Sequence, residues 1–208
     1  MIPSSFKTNS INNLVFLDVE TTGLSVSKGA KICELAMLKI VDGKETIFNK
    51  LINPLVSIPY ECCQIHGITD DMVKNCPSFC EVAQEVANFI DGYILVGHNA
   101  KFDLHFISNE IKCAGVISPE MYFLDTLKIA RQYFSFESNK LGAIAEILGI
   151  DVKEHHRAMA DVVTTRQVAQ YLFGSLNRKG IDSLELSYFE QALLPNTKYM
   201  KNSQNIIE

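Results

Sequence analysis

Asp18 and Glu20 stand two apart in Leu14-Val15-Phe16-Leu17-Asp18-Val19-Glu20-Thr21-Thr22-Gly23. Side chains two apart on a strand share a face. Two carboxylates crowded at the end of a buried strand repel each other and lose solvation. A divalent cation relieves both problems, and hard cations such as magnesium take oxygen ligands. The segment therefore reads either as a metal site or as an exposed acidic strand end.

Two more stretches carry the same kinds of group. Val96-Gly97-His98-Asn99-Ala100-Lys101-Phe102-Asp103 runs off a strand into a helix. Asp103 is either a first-turn acid answering the helix dipole or a further carboxylate of the site. His98 and Asn99 either hold the loop that aims it or are satisfied by backbone. Lys101 is either solvated or meets a phosphate. The third stretch is His155-His156-Arg157-Ala158-Met159-Ala160-Asp161. Five residues turn a regular helix through about 140°, so His156 and Asp161 do not share a face. If both serve one site, His156 sits in the loop or first turn and Asp161 inside the helix. Taken singly, His156 reads as a solvated loop histidine.

The elements that must position these groups follow from pattern. Residues 13–20 form a strand buried on both faces. Residues 32–41 and 45–52 are two more, joined by the hairpin signal Asp42-Gly43. Thr69 is placed to cap a short helix, and Ser78 with Glu81 forms a capping box before a longer one. Residues 93–97 form a strand, residues 122–124 another. A helix from Asp125-Thr126 reaches Phe134, and Asp125 is its cap or a rival ligand. A helix over 139–148 stops at Gly149, and a long one follows Asp161. Residues 1–11 read as a flexible polar lead-in. Residues 175–180 read as a linker. Residues 181–194 read as a helix, from the spacing of Ile181, Leu184, Tyr188 and Phe189, and the tail beyond Pro195 is polar and disordered.

The 208 residues suit one domain with an appendage, and 47% are apolar, enough for a sizeable core. No apolar run approaches a membrane span, and the N-terminus lacks the order of a signal peptide. The six cysteines have no matched pairs at zinc spacing, so they read as reduced core thiols in a cytoplasmic protein. The net charge of −5 gives no global attraction to nucleic acid, and no dense basic stripe stands out.

Together the three stretches resemble the DEDDh 3′–5′ exonucleases. The ordered set is Asp18-Val19-Glu20-Thr21-Thr22-Gly23, His66-Gly67-Ile68, His98-Asn99-Ala100-Lys101-Phe102-Asp103, Asp125-Thr126 and His156-Arg157-Ala158-Met159-Ala160-Asp161. The chain looks most like the proofreading epsilon subunit of bacterial DNA polymerase III and the exonuclease domain of Gram-positive replicative polymerases. The resemblance covers residues 12–174 and leaves 175–208 as a C-terminal helix and tail.

It implies an α/β, ribonuclease H-like fold, a mixed five-stranded sheet flanked by helices. It implies two magnesium or manganese ions, with Asp18 bridging both, Glu20 and Asp161 completing one site and Asp103 serving the other. His156 would be the general base, its ordinary pKa of about 6.5 suiting that task. Thr21, Gly23 and Leu24 would meet the terminal nucleotide, with His66 and Asn99 bordering the pocket. Leu24 stays open between pocket lining and plain core. The implied activity is release of nucleoside 5′-monophosphates from single-stranded or frayed DNA 3′ ends, in proofreading or repair. The C-terminal segment either packs on the domain or docks a polymerase subunit or clamp. Two alternatives stand beside this: an RNA-trimming exonuclease of the same fold, and a non-catalytic module tethered to a polymerase. The latter would lack a carboxylate or the histidine, and none is lacking.

Overall fold

The computed structural model describes residues 5–152 and 157–190 of the chain. Strand β1 is Ser5–Lys7 and β2 is Leu14–Thr21, followed by a 3-10 turn at Val26–Lys28. Strands β3 (Ile32–Val41) and β4 (Lys44–Leu51) make the expected hairpin. Its turn residues Asp42 and Gly43 both have positive φ, 50° and 73°, which matches strand twist. Helices α1 (Tyr60–His66), α2 (Asp70–Val73) and α3 (Phe79–Ile90) lead to β5 (Ile94–Gly97). Then come α4 (Ala100–Cys113), β6 (Tyr122–Asp125), α5 (Thr126–Tyr133), α6 (Leu141–Ile147) and α7 (Ala158–Arg178). Strands β7 (Ser183–Glu185) and β8 (Ser187–Tyr188) close the described chain.

The main sheet runs β4-β3-β2-β5-β6-β8. Strand β2 pairs antiparallel with β3 and parallel with β5, so the sheet is mixed, as expected. Five strands match the sequence reading, and the two-residue β8 adds a sixth along β6. Side-chain alternation in β2 divides the core. Val15, Leu17 and Val19 pack with α3 and α4 residues such as Val86, Leu104 and Ile107. Leu14 and Phe16 pack on the other face with Val168, Leu172 and Phe173 of α7. Asp18 and Glu20 continue the register of Leu14 and Phe16, so period two aims them at the α7 side.

Two of the three expected caps form. Ser78 and Glu81 form the full capping box of α3. Asp125 caps α5, accepting the N–H groups of Leu127 and Lys128. Thr69 precedes α2 without a side-chain capping bond.

Three expectations give way. The lead-in is not loose throughout, because β1 pairs antiparallel with β7, with Phe6 opposite Leu184. Residues expected as a linker belong to α7, which runs to Arg178. Residues 183–188 are strands rather than helix, because β1 and β6 offer open edges whose backbone groups need partners. The rest of the expected helix, to Leu194, and the tail lie outside the described residues. The thiols are free of disulfides, but only Cys33 is buried, and Cys80 and Cys113 are exposed. Among the described residues no helix is long and apolar enough to cross a membrane.

Candidate active site

The site forms where β2 ends, where α4 begins and where α7 begins. Carboxylate oxygens of Asp18, Glu20 and Asp161 lie within 4.8 Å of one another, each residue half-buried. Asp18 and Glu20 come from one face of β2, and Asp161 from the first turn of α7. Among the described residues this is the one group of three or more His, Cys, Asp or Glu side chains gathered closely enough for a metal ion.

Asp103 stands outside that set of three but is tied to the same strand. Its Oδ1 accepts the backbone N–H of Val19 at 3.1 Å, between Asp18 and Glu20, and the residue is 3% exposed. Asn99 has φ 71° and ψ 40°, a left-handed turn that Asn tolerates. The Asn99 N–H donates to Asp125 Oδ1 at 3.0 Å, which sets the entry to α4 and so aims Asp103. His98 Nε2 donates to the Asn139 carbonyl at 2.9 Å, and its Nδ1 lies 2.9 Å from Thr126 Oγ1. Burial pushes the His98 pKa down. This histidine ties the loops before α4 and α6 together.

The electrostatics follow from crowding. Burial first, then the charges of Asp103, Asp161, Glu20 and Glu34, hold Asp18 well above the usual carboxylate range. Glu20 is pushed up to about 8 by burial, then by Asp161 and Glu34, with Arg157 opposing. Burial also raises Asp103, against the opposing Val19 N–H. Carboxylates that resist ionisation beside one another are short of positive charge. An all-oxygen donor set of this kind fits a hard divalent cation.

Glu34 is the residue that sequence reading missed. It sits on β3 directly opposite Glu20, 2% exposed. Arg157 answers it with two bonds, Nε to Oε2 at 3.1 Å and the terminal nitrogen to Oε1 at 2.9 Å. The Ala158 N–H donates to the same carboxylate at 3.1 Å. Glu34 thereby fastens the start of α7, three residues before Asp161. The signal was available: an acid inside a mostly apolar strand needs a buried partner. His156, the expected base, lies outside the described residues.

The expected substrate residues separate. Thr21 Oγ1 donates to the Gly23 carbonyl at 2.7 Å, closing the turn after β2. Leu24 is 87% exposed, which rules out plain core. It borders a hollow of about 380 Å³ with Phe102, Phe106 and Phe189. Asn99 borders a second hollow beside Asp125. His66 is buried at 4%, and its Nδ1 accepts the Ile68 N–H at 3.1 Å. That bond gives His66 a structural task in a small cluster around Cys33, Ile58, Ile68 and Val73.

Comparison with known proteins agrees with this geometry. The family model described as Exonuclease (RNase_T) matches residues 15–169. The chain is 42% identical over 153 residues to "3′-5′ exonuclease DinG" of Bacillus subtilis, covering 73% of this chain. It is 34% identical over 192 residues to "DNA polymerase III PolC-type" of Clostridium perfringens, covering 90% of this chain. It spans only 16% and 12% of the lengths of those two relatives. Exonuclease X, solved in complex with 5′ overhanging duplex DNA, superimposes with TM-score 0.60 at 26% identity. That match covers 80% of this chain and 93% of the other, and the expected ribonuclease H-like α/β fold is the one this chain adopts. With so long a match centred on the strand, helix starts and acids described above, the chain belongs to the exonuclease family.

Proposed function

We propose that the chain is a metal-dependent 3′–5′ exonuclease that releases nucleoside 5′-monophosphates from DNA 3′ ends. The observation that carries the reading is the convergence of Asp18, Glu20 and Asp161 within 4.8 Å, with Asp103 bonded to the backbone between the first two. Asp18, Glu20 and Asp161 would hold one divalent cation, and Asp103 with Asp18 a second. Two magnesium or manganese ions bound there supply positive charge for the attacking and leaving oxygens of a phosphodiester. The protein's own part is to hold four carboxylates at the end of a rigid sheet, so that little reorganisation is needed at the moment of reaction.

His156 is assigned as general base, accepting the proton of the attacking water. The Glu34–Arg157 pair fixes the residue that follows it in the chain. Gly23 and Leu24 border the site of the terminal nucleotide, with Thr21 shaping the turn that presents them, and Asn99 also borders it. His66 acts at one remove, through the loop it braces. The name of the PolC-type relative, a DNA polymerase III, supports DNA as the polymer and a DNA polymerase as the partner.

A 5′-labelled single strand tests the proposal. With magnesium it should shorten one nucleotide at a time from the 3′ end, yielding nucleoside 5′-monophosphates. A chelator should stop it and added manganese restore it. Shortening that persists in chelator would overturn the metal assignment. A matched RNA strand cut at the greater rate would replace DNA by RNA as the substrate.

A further inference from the structure

The sequence shows no basic stripe, yet the fold assembles one. Lys128 and Arg131 lie one turn apart on α5 and both are exposed. Lys101, at the start of α4, borders a hollow of about 420 Å³ with Lys128. Lys140, just before α6, borders a hollow of about 790 Å³ with Arg131 and Asp161. A third hollow, of about 310 Å³, joins Lys128 and Arg131 to Asn99. The three hollows share residues, so they form one continuous surface that begins at Asp161. Among the described residues none of these four cations has a carboxylate within 4.0 Å, unlike Lys31, Lys50, Lys74, Arg157 and Arg166. In a chain of net charge −5, four such cations grouped beside an acidic site make a local positive surface.

Besides Asp161, where it begins, two acids border this surface. Asp125 is occupied: its Oδ1 accepts the N–H groups of Asn99, Leu127 and Lys128 at 3.0, 3.0 and 3.4 Å. Glu185 borders the Lys101 hollow, away from Asp161.

We propose that the exposed face of α5, with Lys101 and Lys140 on either side, carries the sugar–phosphate backbone of the strand upstream of the scissile bond. The proposal rests on the exonuclease reading above and adds the path of the substrate. A phosphate chain fits better than an acidic protein because the surface is continuous with the hollow of Asp161, where the polymer would end. The hollows nearest Asp161 contain no phenylalanine or tyrosine. Aromatic rings, Phe123, Tyr133 and Tyr188, border only the Lys101 hollow, so near the reacting end the grip falls on phosphates rather than bases and is independent of base sequence there. Helix α5 is about 12 Å long at 1.5 Å per residue, so it serves only a few nucleotides.

The experiment uses the full chain and the double variants Lys128→Gln/Arg131→Gln and Lys128→Glu/Arg131→Glu. Three probes are compared: a long single strand, the p-nitrophenyl ester of thymidine 5′-monophosphate, which has no upstream strand, and a hydrolysis-resistant phosphorothioate strand for binding. The neutral variant should raise KM for the long strand about tenfold. It should also flatten the plot of log affinity against log salt by about 1.4, for two lost contacts at about 0.7 each. Turnover of the nitrophenyl ester should not change. Deoxy and ribo strands should lose affinity alike, and the charge-reversed variant should lose more.

An unchanged KM and salt slope in a variant that melts like the parent would overturn the path, as expected if an acidic protein is the true occupant. An equal loss on the nitrophenyl ester would also overturn it, by placing these residues at the reacting bond. If the parent protein cleaves neither substrate, the exonuclease reading fails, and strand binding alone then decides the path. Should a double variant fold poorly, single exposed changes at Lys128 and Lys140 repeat the measurement.

Discussion

At the residue scale the molecule is governed by carboxylates held where they would rather be protonated. Asp18→Ala and Asp161→Ala should each lower turnover at least about 10³-fold while leaving the metal-free melting temperature equal or higher, because each removes a repelling charge. A large drop in melting temperature would instead mark a structural acid. The pH dependence has a definite sign. Glu20 titrates near 8 in the folded chain against an ordinary 4.5. Its folded form therefore holds a proton more tightly than the unfolded form. Its contribution to metal-free stability should be fullest below about pH 4.5 and fall as pH rises toward 8. Added magnesium, which competes with protons for these oxygens, should raise the melting temperature more at pH 8 than at pH 6. Melting curves with chelator and with magnesium across that range check both, and Glu20→Gln should flatten the chelator curve. The acids were legible as a spaced pair and two singles. Burial was not: the same letters gave no sign that Leu24 stands in solvent or that His66 is enclosed.

At the element scale the starts of helices do the positioning. Helix α7 is fastened by the buried Glu34 through two bonds from Arg157 and one from Ala158. Glu34→Ala should cost about 2–4 kcal/mol, less than breaking a fully enclosed pair because Arg157 is partly exposed. It should also lower kcat more than it raises KM, since it loosens the segment bearing His156 and Asp161. Arg157→Lys should recover only part of the loss, because one ammonium cannot repeat the two-pronged contact. Urea melts and steady-state kinetics separate the two effects. Local signals read well here. Ser78 with Glu81, Asp42 with Gly43 and Asp125 with Thr126 each carry their own chemistry within four residues. The end of the chain read badly for the opposite reason. Ile181, Leu184, Tyr188 and Phe189 fall at helical spacing, but the hydrogen-bond partners of 183–188 lie on β1 and β6. Partners far off in the sequence, at Tyr122 and Phe123 for β8 and at Ser5 to Lys7 for β7, decide that segment.

At the scale of the whole molecule, one sheet serves two cores. The parity of β2 sends Leu14 and Phe16 to one core and Val15 and Leu17 to the other, then leaves Asp18 and Glu20 at the rim. The mixed sheet could be foreseen because each strand announces itself in its own apolar run. The separate two-stranded sheet of β1 and β7 could not. Phe6 is 4% exposed and lies 4.9 Å from the Phe173 ring. Phe6→Ala should cost about 3–5 kcal/mol, the usual range for emptying a buried Phe site. Hydrogen exchange should report loosening of residues 5–7 and 183–185, with turnover of short substrates unchanged. Exchange that stays protected there would show the small sheet to be held by other contacts.

The pairing of β1 with β7 has a topological consequence. It lashes an early segment of the described chain to a late one, Ser5 beside Glu185, before the chain runs on to β8 at the rim of the main sheet. A pull on either segment is shared by the other, and the two let go together.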